Sequence, residues 1–289
     1  VIDYHVHLWQ HGRQPSLQAT VDQLAEYCDH ASQLGILELA VTEHSSRFRQ
    51  FDDLVGDWWD ADPSPERRAE VARKWGEELG ADLDQYVETA LAAKEAGLPV
   101  VLGLEVDYHP GQMDAVGELL AGYPFDVLLG SVHWIGAWMF NALSWPGAQA
   151  EWASRGVEQV WDAYTRTLEE LAATRSVDVL AHPDVVKVAA RLPAMPAEFF
   201  DRIAEAARDC GLAAELNSSG WRRPCAEPYG GPDLLARLHD LGVPITTASD
   251  GHRLDEVSWR VADLTELART AGYAEVTAFR DRKRVQQQI

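Results

Sequence analysis

The stretch Val1-Ile2-Asp3-Tyr4-His5-Val6-His7 is apolar at its start and ends in two histidines one residue apart. On a strand, side chains at i and i+2 project from the same face. His5 and His7 can therefore offer two imidazole nitrogens to one metal ion. A lone His-x-His carries little information, but later apolar runs end in the same way. Val41-Thr42-Glu43-His44, Gly103-Leu104-Glu105-Val106-Asp107 and Gly130-Ser131-Val132-His133 are three of them. Leu180-Ala181-His182-Pro183-Asp184 and Ala248-Ser249-Asp250-Gly251-His252 follow, and His11 lies just past the first run. Of the other histidines, His30 and His239 fall inside helical patterns and His109 just past the third run. Seven histidines and two carboxylates at strand ends make a metal-binding set. Imidazole and carboxylate without thiolate suit zinc, manganese or Fe(II). Nine ligands exceed what one or two tetrahedral centres with an open position require, so three divalent ions are expected.

Seven runs rich in Val, Ile and Leu read as buried strands: 1–7, 36–44, 100–108, 127–134, 178–184, 213–219 and 245–252. Helical periodicity separates them. Leu24, Tyr27, Cys28, Ala31 and Leu34 share one face of a helix closed by Gly35, and Leu83, Tyr86, Val87, Ala90 and Leu91 one closed by Gly97. Residues 157–174, 196–210, 231–241 and 257–271 supply further helices. Alternating strands and helices argue for an α/β fold with a parallel sheet. Ligands on nearly every strand argue for closure into a (β/α)7 barrel, which brings strand ends to one face. With no Gly-, Ser- or Pro-rich linker and no repeat, residues 1–289 are expected to form one domain. Two connections are long, 45–82 and 135–156, and both are rich in tryptophan. Such loops at a barrel mouth serve as lids or excursions, their aromatics packing onto the barrel.

The net charge of −21 excludes a basic nucleic-acid surface, and an anionic substrate then needs a local positive centre. No apolar run approaches the roughly 18 residues of a membrane span, and no charged-then-apolar leader opens the sequence. Cys28, Cys210 and Cys225 are few and widely spaced, as expected of a reducing cytoplasm.

These motifs, in this order, resemble the PHP (polymerase and histidinol phosphatase) family over almost the whole chain. Tyr123-Pro124-Phe125-Asp126, Gly136-Ala137-Trp138 and Asn217-Ser218-Ser219-Gly220-Trp221-Arg222-Arg223-Pro224 are similar to its monofunctional histidinol-phosphate phosphatase branch. The resemblance implies a distorted TIM-like (β/α)7 barrel and three ions. His5, His7, Glu105 and Asp250 would hold the first. Glu105 would bridge to a second, completed by His133 and His182, and His11, His44 and His252 would hold a third. Two details depart from the family pattern: the turn carrying His11 is shorter, and Glu43 stands where Asp is more usual. The implied activity is hydrolysis of a phosphomonoester, L-histidinol phosphate foremost, by a metal-bridging hydroxide. Another phosphorylated small molecule is the alternative, and a phosphodiester a more distant one. Glu105, Asp250 and His252 are the candidate catalytic groups, with Asp250 handling the water's proton.

Arg222 and Arg223 follow the sixth strand, and the planar guanidinium fork matches phosphate. Lys187 and Arg253 are further candidate phosphate contacts. Asn217 either meets substrate or fixes a turn. Asp107 and Asp184 suit the orienting of histidines. Arg47 and Arg49 read as surface residues, and Asp60, Asp62 or Asp107 could pair with a substrate ammonium group.

Overall fold

The computed structural model describes the whole chain, Val1–Ile289. Strands β1 (Ile2–Val6), β2 (Glu38–Val41), β3 (Val100–Asp107) and β4 (Val127–Ser131) are followed by a small hairpin, β5 (Trp134–Ile135) and β6 (Trp138–Met139). Then come β7 (Val179–Leu180), β8 (Ala213–Asn217) and β9 (Ile245–Ala248). Seven of these form one parallel sheet in the order β1-β2-β3-β4-β7-β8-β9. Its two edges meet: His7 N–H donates to the Gly251 carbonyl at 2.9 Å and Asp250 N–H to that of His5 at 2.8 Å. The result is a nearly closed barrel of seven parallel strands with helices outside it. Parallel strands covered in this way are buried on both faces, which is why they read as continuous apolar runs. Close approach is needed at Gly103, where a Cβ would sit 2.7 Å from Thr42 Cγ2 and 2.9 Å from Val127 Cγ1. Gly103→Ala should therefore cost about 1–3 kcal/mol, read as a lowered melting temperature with the metal content unchanged.

The expected helices are present, as Val21–Gln33, Leu83–Glu95, Val157–Thr174, Pro196–Cys210, Pro232–Asp240 and Val261–Thr270. In the first of them Leu34 is not part of the buried face: it lies past the helix end and is 49% exposed. The long connections are structured excursions rather than bare loops. The first holds helices Arg49–Val55 and Pro65–Glu78, the latter capped by the Ser64 side chain with Pro65 in its first turn. The second holds β6 and helix Pro146–Ser154. Trp59, Trp75, Trp138 and Trp152 are buried, as packing aromatics should be. The excursions also grip one another. Arg67 bridges Asp62 and Glu151 at 2.7 and 2.6 Å, and Asp62 accepts from Ala137 N–H at 2.9 Å. Asp62 is thus a structural anchor and not a partner for a substrate ammonium.

One element was absent from the sequence reading. A hairpin of β10 (Glu275–Arg280) and β11 (Lys283–Gln288) crosses the N-terminal end of the barrel. It is fixed there by Arg280 to Glu38, Phe279 N–H to the Tyr4 hydroxyl, and Arg282 to Asp178. No helix is long and apolar enough to cross a membrane.

Candidate metal centre

At the opposite end of the barrel the strand-end side chains converge. Glu105, on the face of β3 that also carries Asp107, is the hub. Tetrahedral coordination at ~2.0–2.1 Å places neighbouring ligand atoms ~3.3–3.4 Å apart, so such spacings test whether ions would fit. In the first group, His5 Nε2 lies 3.0 Å from His7 Nε2 and 3.5 Å from Glu105 Oε2. His7 Nε2 is 3.7 Å from the same oxygen, and Asp250 Oδ1 is 3.9 and 3.4 Å from the two nitrogens. In the second group, Glu105 Oε1 lies 3.5 Å from His133 Nε2 and 3.0 Å from His182 Nε2, which are 3.3 Å apart. Most of these spacings are close to the edges that two ions sharing one carboxylate would need. The third expected group is only partly brought together: His44 and His252 cluster with His7, and His11 is in none of the ligand clusters. His44 Nε2 and His252 Nε2 are 3.2 Å apart, while His11 stands at the rim, half exposed, its ring centre 4.2 Å from that of His252. His44 also faces the hub, its Nδ1 being 2.6 Å from Glu105 Oε2.

The outer nitrogens are held by carboxylates. His5 Nδ1 meets Glu215 Oε1 at 2.9 Å, His133 Nδ1 meets Asp107 Oδ1 at 2.7 Å, and His7 Nδ1 faces Glu43 Oε2 at 3.6 Å. The two hydrogen-bonded pairs fix the tautomer and leave Nε2 free for a metal, while the His7–Glu43 contact is longer than a hydrogen bond. Glu43 also accepts the N–H groups of Leu8 and Trp9, so a Glu at this position ties down the turn leading to His11. Two ligand positions need left-handed backbone, His182 at φ 29° and Asp250 at φ 50°. Strain of this kind persists where surrounding structure enforces it. Each is pinned: His182 N–H donates to Glu215 Oε2 at 2.8 Å and Asp250 N–H to the β1 carbonyl.

Burial of so many titratable groups shifts them in opposite directions. Burial alone would lower His5, yet Glu215, Glu105 and Asp250 outweigh it and raise it well above its ordinary value. His133 is likewise lowered by burial but carried up to about 9 by Asp107 and Glu105. His44, with burial and His7 acting together, falls to about 4. The histidines hold Glu105 and Asp250 well below the usual carboxylate range despite burial. The lowered carboxylates suit a bound cation, whereas the raised His5 and His133 would have to release a proton for an ion to bind.

Glu215 was not singled out from the sequence, although a carboxylate inside the buried run Ala213-Ala214-Glu215-Leu216-Asn217 was a signal. It serves two strands at once, orienting His5 and His182. Glu215→Gln should weaken metal binding about 10- to 100-fold, read from zinc retained against a competing chelator.

A cavity of about 440 Å³ opens over the centre, walled by Trp75, Trp134 and Trp145. Arg222 and Arg223 line it. Arg222 donates from Nη2 to the carbonyls of Ser249 and Asp250 at 3.1 and 3.2 Å, and its buried Nη1 has no hydrogen-bond partner. Arg223 is exposed and makes no ion pair. The other expected phosphate contacts lie elsewhere. Lys187 is buried and enclosed by Asp184 at 2.8 Å, Glu227 at 2.7 Å and the Pro228 carbonyl at 2.8 Å. Asp184 is thereby occupied with Lys187 and the Gly230 N–H rather than with a histidine. Arg253 faces solvent and pairs with Asp255 at 2.8 Å. Asn217 takes the turn-fixing alternative: it is buried, accepts from Ser219 N–H and donates to Glu215, both at 2.9 Å. Arg49 is exposed as expected, but Arg47 is completely buried, because Glu43, Glu78 and two carbonyls surround it.

Comparison with known proteins agrees with this fold. The family model of the PHP domain matches residues 3–219. A curated relative from Deinococcus radiodurans, named probable histidinol-phosphatase, is 33% identical over 261 residues, covering 89% of this chain and 90% of the relative. One of the same name from Schizosaccharomyces pombe is 23% identical over 80% of this chain and 75% of its own length. Among solved structures, the histidinol phosphate phosphatase of Lactococcus lactis, complexed with zinc, L-histidinol and phosphate, superposes with a TM-score of 0.69. It is 20% identical, with 98% of both chains covered, a likeness of fold. The chain belongs to the PHP domain family.

Proposed function

We propose that this protein is a metal-dependent phosphomonoesterase that hydrolyses L-histidinol phosphate to L-histidinol and phosphate. The observation that carries the reading is Glu105: one buried carboxylate, each oxygen within 3.0–3.7 Å of two Nε2 atoms from a separate ligand group. His5, His7, Glu105 and Asp250 would hold one ion, Glu105, His133 and His182 a second, and His11, His44 and His252 a third. Zinc, manganese or iron fits this donor set. Divalent ions so placed polarise phosphate oxygens and lower the pKa of bound water. Three of them against two carboxylates leave about four positive charges, enough to hold a phosphate inside an acidic protein.

The chain's own groups then have distinct tasks. Arg222, whose buried Nη1 makes no hydrogen bond and lies 3.9 Å from Glu256, and Arg223 present guanidinium groups to the phosphate oxygens as charge spreads over them. Asp250 is the proton carrier, taking a proton from the attacking water and returning it to the leaving alcohol. Its Oδ2 accepts the Ser219 hydroxyl at 3.1 Å, which fixes the carboxylate's orientation. His252 closes the rim beside it. Trp75, Trp134 and Trp145 exclude water from one side of the cavity and offer aromatic surface to an imidazole. We read the chain as one catalytic unit, since its first and last barrel strands both supply ligands.

The test is phosphate release from histidinol phosphate beside nucleoside monophosphates, sugar phosphates and a cyclic phosphodiester. Histidinol phosphate should be preferred by at least ~10²-fold in kcat/KM, about 2.7 kcal/mol of transition-state discrimination. A better rate on another monoester would keep the centre and move the substrate. Preference for the diester would overturn the monoesterase reading.

A further inference from the structure

We infer that Glu78 positions His11 for the third ion. The inference rests on the three-ion reading above. Every other group of the centre is held by a barrel strand or the turn directly closing one. His11 alone sits on a half-exposed turn beyond β1, where an imidazole has rotamer freedom to lose before it can bind anything. Glu78, the last residue of helix Pro65–Glu78 in the first excursion, reaches that turn from outside the barrel. Its Oε1 accepts the Gly12 N–H at 2.8 Å and its Oε2 lies 3.6 Å from His11 Nδ1. The contact matches that of His7 with Glu43, also 3.6 Å, and places a carboxylate on Nδ1 as in the shorter, hydrogen-bonded pairs His5–Glu215 and His133–Asp107.

Arg47 joins two of these pairs. Its Nε lies 3.2 Å from Glu43 Oε2 and its Nη2 3.5 Å from Glu78 Oε2. The guanidinium also donates to the carbonyls of Trp9 and Gln10 at 3.1–3.2 Å. The residues preceding His11 are therefore held by backbone contacts, and its ring by a charge. An excursion that lies outside the barrel strands thus completes the rim of the centre. Glu78 is a positioning residue acting through His11.

The test is a count of bound zinc per chain at a series of chelator-buffered free zinc concentrations. Wild type is expected to reach three, with the weakest ion filling last. Glu78→Gln keeps an acceptor for Gly12 N–H but drops the charge. It should shift only that last step, by about 10- to 100-fold toward higher free zinc. Glu78→Asp, which retains charge at a shorter reach, should fall between the two and guards against loss of fold. His11→Ala should remove the last step, and the double variant should match His11→Ala alone, as expected of residues in one chain of action. A Glu78→Gln curve overlaying wild type overturns the proposal while leaving three ions standing. A double variant clearly worse than His11→Ala overturns it too, because Glu78 would then act by another route. Saturation of wild type at two ions overturns the three-ion reading and the inference with it.

Discussion

Glu105→Gln should abolish phosphatase activity, with a loss of at least ~10³-fold in kcat/KM, and should empty both inner metal positions together. The side chain is 1% exposed and its oxygens are shared between two groups of imidazoles. An amide has one acceptor oxygen and no charge, so it can replace at most one of the two contacts, and only weakly. Ground-state burial stays nearly the same, whereas the charge that opposes the cations is lost. Lewis-acid stabilisation is worth several kcal/mol, and each 1.36 kcal/mol is tenfold in rate. The measurement is kcat/KM alongside metal content after gel filtration. Retention of full metal content with near-normal turnover would show that Glu105 is not the shared ligand.

The second large effect is on stability. Arg47→Met should destabilise the fold by about 3–5 kcal/mol, because it leaves Glu43 buried without its cationic partner. The arginine has no exposed surface, and Glu43 has none either. Burial would raise the Glu43 carboxyl, and Arg47 heads the influences that lower it. Removing the guanidinium also strands the carbonyls of Trp9 and Gln10. For a chain of this length the loss corresponds to a melting temperature lower by about 5–8 °C. A melt shifted by less than a degree would mean that water replaces the guanidinium without cost.

The barrel and its hub were legible because both follow local rules. Buried parallel strands are apolar along their whole length, and the i, i+2 rule puts Glu105 with Asp107, and His5 with His7, on shared faces. What escaped depends on partners distant in sequence. Arg47 and Lys187 have the chemistry of surface residues, and only folding brings Glu78 to the one and Glu227 to the other. The reverse holds for Arg253, whose neighbour Asp255 takes a side chain that proximity to His252 had suggested for phosphate. Glu215 is a charge within a buried strand, but its role depends on His5 and His182, which only the fold brings to it. The final hairpin shows an apolar stretch, Val276, Ala278 and Phe279, on a strand whose partner β11 is mostly exposed and polar. Half of its signal was therefore missing from hydrophobicity alone.

The central claim, phosphomonoester hydrolysis that depends on ions held by this ligand set, is tested most directly by one experiment. Phosphate release from histidinol phosphate would be measured on the same preparation as isolated, after exhaustive chelation, and after zinc or manganese is returned. A kcat/KM of ~10⁴ M⁻¹s⁻¹ or more is expected at the start. It should fall at least ~10³-fold on chelation, in line with the several kcal/mol that bound cations contribute, and recover when metal is restored. Turnover that survives removal of all metal would contradict the account, as would a fully loaded protein that releases phosphate from no ester.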